Sequence, residues 1–260
     1  MNQRNIRLLI AYDGTGYSGW QRQNDTATIQ GSLEDRLATM TGAAVTLHGA
    51  GRTDAGVHAL GMVANFNTSS TIAAKGFLRG LNSMLPPDIR ILAVNDVKTT
   101  FHSRFDATGK AYRYDILTGR VLMPTERLYA LHVPGPLDID RIHACLHHLA
   151  GSHDFSSFEA SGSREPGRPN GRGAVRTIYR ADFFPCSGRD DAWSFRFTGD
   201  GFLRHMVRNF VGTLIEAGAG KMTPEEFLAI LQGRNRCLAG PTAPARALFL
   251  EQVFYPEGTL

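Results

Sequence analysis

Cysteine is scarce. Residues 145, 186 and 237 are the three in 260, and no two make a C-x-x-C pair. That spacing excludes a disulfide framework and a zinc knuckle, and it fits a reducing cytoplasm. Long apolar runs are also missing. No stretch approaches the ~20 residues of a membrane span, and the short apolar run near the N-terminus is interrupted by Asp13. Neither a signal peptide nor a membrane partner is therefore expected. Charge of one sign is not in great excess either: 28 Lys and Arg against 24 Asp and Glu leave a net +4. Such a balance permits an anionic partner without demanding one.

Apolar material is ample. At 42% hydrophobic residues the chain can build a sizeable core, and its length allows one large domain or two ordinary ones. Periodicity predicts strands over 7–12, 45–47, 62–66 and 89–97, with helices over 29–40 and 73–84. The same order returns as strands over 111–117, 177–184, 193–197 and 247–255, with helices over 139–149 and 203–217. A β-α-β-β-α-β unit used twice is a duplicated ferredoxin-like, α+β arrangement with mostly antiparallel sheets. The halves are expected at 1–105 and 106–260. Two segments are irregular: 14–28, rich in Gly, Gln and Asn, and 160–174, which carries Arg164, Arg168 and Arg172 but almost nothing apolar. The second cannot bury a core and is expected as a mobile loop, either a solvated linker or a set of phosphate contacts.

The stretch LHGAGRTDAGVHALGMVANF, residues 47–66, is the most informative. Two apolar runs bracket a polar turn shaped by Gly49, Gly51, Gly56 and Gly61, and inside it Arg52 stands two residues before Asp54. A carboxylate on a glycine-shaped loop beside a guanidinium is what a site needs to keep an Asp ionised and aimed. Taken alone, an R-x-D pair is also what a surface turn with a chance ion pair looks like. His143 and His147 share a helix face at i and i+4, yet no H-E-x-x-H pattern or third ligand accompanies them, so no metal site is expected.

GRTDAGVHALG, residues 51–61, resembles without interruption the active-site loop of the tRNA pseudouridine synthase A family. The resemblance extends in the family's order through YDGTGYSGWQ (12–21), GKAYRY (109–114), GFLRHMVRNFVG (201–212) and TAPARALFL (242–250). It implies the pseudouridine synthase fold and an isomerase that converts uridine to pseudouridine at positions 38, 39 and 40 of the tRNA anticodon stem-loop. It also implies a homodimer holding one tRNA across both subunits, and no cofactor or metal. Residue by residue, Asp54 matches the catalytic Asp, Arg208 its basic partner, Tyr112 a substrate-binding Tyr, and Leu248 a Leu lining the uridine pocket; Arg52 joins them as a substrate contact. Ala247 departs from the Gly common there, a difference of one methyl. Lys110 and Arg113 beside Tyr112 are placed to reach RNA backbone.

Gly14, Gly16 and Gly19 fit G-x-G-x-x-G after a strand, but a dinucleotide fingerprint needs a helix opening within it. The residues from Trp20 to Asn24 show no helical period. An RNA-facing loop with Trp20 and Arg22 as contacts suits the segment better.

Overall fold

The computed structural model describes residues 3–160 and 173–257. The chain divides into two compact units, Met1–Lys110 with Phe249–Leu260, and Ala111–Leu248.

In the first unit, β1 (Arg4–Tyr12) turns Ile6, Leu8, Ile10 and Tyr12 into the core at every second position, the period of a half-buried strand. Helix α1 (Ile29–Thr41) starts where the Thr28 side chain accepts from the Gly31 amide, and it ends on Gly42 in the left-handed region (φ 72). Its Ile29, Leu33 and Leu37 are buried. There follow β2 (His48–Gly49), β3 (His58–Thr68), α2 (Ala74–Met84) and β4 (Ile89–Val97). β1 runs antiparallel to both β3 and β4, and β2 pairs antiparallel with β3. The order β4-β1-β3-β2 is the split β-α-β of a ferredoxin-like unit. The final strand, β10 (Leu248–Phe254), lies parallel to β3 through Phe249 and Leu250, opposite His58 and Ala59.

One expected strand moves. Residues 45–47 form no ladder, because the Leu47 amide donates to the Glu34 carboxylate of α1 at 3.0 Å. Sheet pairing begins one residue later, at His48. The next strand starts at His58 rather than Met62, so Gly61 lies within the strand and not in the turn.

The second unit contains β5 (Gly109–Leu117), β6 (Leu131–His132), α3 (Ile139–His147), β7 (Gly151–Asp154), β8 (Val175–Pro185), β9 (Ala192–Gly199), α4 (Met206–Gly218) and α5 (Pro224–Gly233). Its sheet runs β5-β9-β8-β7, so the first, third and second expected strands stand in ferredoxin-like order with β7 added at the edge. Phe155, Phe158, Phe195, Phe197, Phe210 and Phe227 are fully buried and form its aromatic core. Helix α5 was not expected, although Thr223, Pro224 and Glu226 spell its start: the Thr223 and Glu226 side chains make a reciprocal capping box. α4 begins at Met206 rather than 203, after His205 enters the left-handed region (φ 62).

Candidate active site

Residues 50–57 connect β2 to β3 and carry Arg52, Thr53 and Asp54. Backbone groups pin this turn. The Trp20 amide donates to the Thr53 carbonyl (3.0 Å), the Val57 amide to the Asp54 carbonyl (3.2 Å), and the Gly56 amide to the Tyr17 carbonyl (3.3 Å). Thr53 points inward, where its hydroxyl shares a 2.8 Å hydrogen bond with the Tyr12 hydroxyl. With Thr53 buried, Arg52 is exposed and Asp54 half-buried. Gly56 takes φ 77, a conformation that side chains with a Cβ resist.

The segment 14–20 serves this loop as a clamp. A Cβ on Gly14 would lie 2.1 Å from the Val57 carbonyl oxygen, so only glycine allows the two backbones to meet. Gly19 is required in the same way, since its Cβ would lie 2.6 Å from the Thr53 carbonyl oxygen, whereas a Cβ on Gly16 would meet nothing. Tyr17 donates its hydroxyl to Asp88 at 2.8 Å, and burial with that carboxylate pushes its ionisation above the ordinary range. Trp20 is 3% exposed, its indole lying on Gly49, which corrects the expectation of an RNA-facing Trp. A flat apolar ring beneath a glycine-rich turn excludes water better than it could reach a ligand.

Arg22 is committed elsewhere. Its guanidinium contacts Asp35 at 2.9 Å and Glu34 at 3.3 Å, both on α1, and those acids raise its ionisation further. Lys110 comes to the loop itself: a Cβ on Gly51 would lie 2.9 Å from its ammonium nitrogen. His58 is buried, with Nδ1 3.1 Å from both the Gly14 amide and an Asp13 oxygen, and its ring stacks on Phe249 at 4.8 Å.

The second unit positions Tyr112, Arg208 and Leu248. Tyr112 is on β5, 9% exposed, with the Phe202 ring edge-on at 5.0 Å. On α4, Arg208 Nε donates to the Ala243 carbonyl at 2.7 Å, while the Ala243 amide returns a 3.1 Å bond to the Arg208 carbonyl. Residues 240–244 are held close to that helix. A Cβ on Gly212 would lie 1.7 Å from the Pro241 carbonyl oxygen. Buried Asn209 accepts from Thr242 at 2.7 Å and from Arg236 at 3.1 Å. Tyr114, pushed by burial to stay protonated, donates to the Pro244 carbonyl at 2.8 Å. Leu248 follows this anchored run and is 5% exposed. Ala247 is fully buried and does not take a positive φ, so its methyl is accommodated.

Arg52, Asp54, Lys110 and Arg22 thus belong to the first unit, and Tyr112, Arg113, Arg208 and Leu248 to the second. Arg113 pairs with Asp115 on its own strand at 3.1 Å. Arg164, Arg168 and Arg172 lie outside the described residues. Among the described residues no three His, Cys, Asp or Glu side chains are grouped to hold a metal. The loop's supports, Tyr12, Tyr17 and Trp20, were not singled out as such by sequence reading; their one signal was that they share a motif block, 12–21.

Comparison with known proteins gives the family. The family model for tRNA pseudouridine synthase matches residues 8–106 and 145–256. The chain is 53% identical to tRNA pseudouridine synthase A 1 of Desulfotalea psychrophila, over 97% of this chain and all of that one. It is 45% identical to tRNA pseudouridine synthase A 2 of Clostridium tetani, over 97% of this chain and 99% of the relative. To tRNA pseudouridine synthase A of Ligilactobacillus salivarius it is 42% identical, over 99% and 98%.

Proposed function

The chain belongs to the tRNA pseudouridine synthase family, and from that premise we infer that it isomerises uridine to pseudouridine in tRNA, at positions 38, 39 and 40 of the anticodon stem-loop. The observation that carries this reading is the intact loop around Asp54, half-buried on a turn pinned by backbone hydrogen bonds. The reaction breaks the bond between ribose C1′ and uracil N1, turns the base, and joins C1′ to C5. The C5 proton leaves and N1 gains one, so atoms and electrons balance without a redox partner. The Asp54 carboxylate acts as nucleophile on carbon or as base on a sugar C–H, and either role requires it ionised.

The supporting roles follow the family's pattern. Arg208 matches the basic partner that the family pairs with this carboxylate, and its bond to Ala243 limits the rotamers it can visit. Tyr112 offers one wall for a base taken out of its stack, and Leu248 an apolar one. Arg52, exposed on the loop, and Lys110, beside Gly51, face phosphate or the sugar edge. The arginines at 164, 168 and 172 add phosphate contacts, whereas Arg22 contributes through its acid-paired support of α1. The Asp loop lies in the unit Met1–Lys110 with Phe249–Leu260, and Tyr112 and Arg208 lie in the unit Ala111–Leu248. The enzyme acts in the cytoplasm as a homodimer without cofactor or metal.

Position-resolved mapping of pseudouridine in unmodified tRNA, with and without the protein, tests the reading. Pseudouridine appearing at 38–40 only with the protein is expected. Binding of tRNA with no new pseudouridine would leave an RNA-binding protein on a synthase fold and overturn the reading.

A further inference from the structure

Phe105 is 73% exposed, yet the turn that presents it is held from below with unusual thoroughness. The Asn5 side chain donates through Nδ2 to the Phe101 carbonyl at 2.8 Å, and the Ser103 backbone amide donates to Asn65 Oδ1 at 2.9 Å. The Tyr255 hydroxyl donates to the Ser103 carbonyl at 2.6 Å, and the Ser103 hydroxyl donates to the His48 carbonyl. Asn5, Asn65 and Ser103 are buried, so these bonds are sheltered from water. The turn also closes on itself. The His102 amide donates to Asp106 at 2.8 Å, and the Arg104 amide donates to His102 Nδ1 at 3.1 Å.

Three rings pile up on that foundation. His48 lies 5.1 Å from His102, and His102 lies 4.2 Å from Phe105, so Phe105 is the exposed end of the pile. The exposed Arg104 guanidinium is 5.9 Å from the Phe105 centroid. Ser103 bonds to His48, on the strand that leads into the 50–57 turn, and Lys110, further along the chain, meets Gly51 within that turn.

We propose that Phe105, backed by His102 and His48, is a stacking platform for an unpaired RNA base other than the reacting uridine, with Arg104 engaging the neighbouring phosphate. A rigid exposed ring loses little entropy on capturing a base, and any base offers a face to stack on. The exposed Arg104 suits an anionic backbone, and continuity with the Asp54 turn puts the platform where RNA must pass if the functional reading holds. The inference rests on that reading.

The test measures the affinity of the wild type, Phe105→Leu and Phe105→Trp for unmodified tRNA by fluorescence anisotropy, alongside pseudouridine formation by the wild type. Leu keeps bulk without a π face. Phe105→Leu is expected to weaken binding about tenfold, while Phe105→Trp binds like wild type and its added indole emission is quenched by tRNA. Melting temperatures should match, because the ring is exposed. Wild-type product formation with unchanged affinity for Phe105→Leu would overturn this inference alone. A shift of Phe105→Leu to a smaller sedimenting species would also overturn it, by assigning the ring to contact between copies. No pseudouridine from the wild type would overturn the functional reading first, and this inference with it.

Discussion

Asp54 hangs on a turn fixed largely through backbone groups, whereas Arg208 rides a regular helix and is fixed through its own side chain. In the first unit the amides of Trp20, Gly56 and Val57 lock residues 53–57, and glycine permits the close approaches. In the second unit α4 provides the backbone geometry, and Arg208 Nε reaches out to hold residue 243. A short carboxylate has few rotamers, so fixing its backbone aims it. A long guanidinium must be fixed near its tip, because its stem carries about 2 kcal/mol of rotamer entropy. The two units therefore hold a charged side chain by opposite routes.

The largest expected effect removes the charge and leaves its mounting. Asp54→Asn should abolish turnover while tRNA affinity stays within a few-fold, since the backbone bonds of the turn remain. A single-turnover assay that retained even about a tenth of the wild-type rate would take Asp54 out of the chemistry.

Arg208→Lys attacks the opposite route, keeping charge but losing the Nε donor. Turnover should fall about 100-fold, as for a misplaced group, and stability should fall by about 1 kcal/mol for the bond lost to Ala243. Denaturant titration and single-turnover rates on the same preparation check both numbers. A wild-type rate would mean that charge alone suffices there.

Gly56→Ala sharpens the contrast by straining the turn without touching a charge. A Cβ in the left-handed region costs about 1–2 kcal/mol, so turnover should drop roughly tenfold through misalignment of Asp54 while tRNA affinity holds. If stability falls and the rate does not, the turn's geometry is not what aims the carboxylate.

The smallest effect belongs to neither route. Replacing Arg164, Arg168 and Arg172 together by Ala should leave the chemical step intact and flatten the dependence of tRNA affinity on salt. Each lost phosphate contact removes roughly 0.7–0.9 from the slope of log affinity against log salt. An unchanged slope would place the phosphate contacts on other residues.

What the sequence determined by itself is local and periodic. The alternation that buries Ile6, Leu8 and Ile10, the Thr28 cap before Ile29 and the glycine-shaped turn around Asp54 all lie within a few residues of their own signals. The α+β order of elements follows from such signals, and the unbroken motif blocks carry the family. The capping box of α5 is equally local, spelled by Thr223, Pro224 and Glu226. Tertiary structure alone decided which groups hold the turn. Trp20 is polar-flanked in sequence and reads as a surface residue, yet it lies under Gly49. Arg22 reads as a free cation until α1 brings Glu34 and Asp35 to it. Lys110 meets Gly51 across 59 positions of chain, counted as 110 − 51. The strand at 45–47 was lost to a bond from Leu47 to Glu34, a competitor no periodicity reveals. The physical reason is common to all four. A polar or aromatic side chain takes the partner that burial and hydrogen bonding make available, and that partner is set by how distant segments pack rather than by the neighbours in the chain.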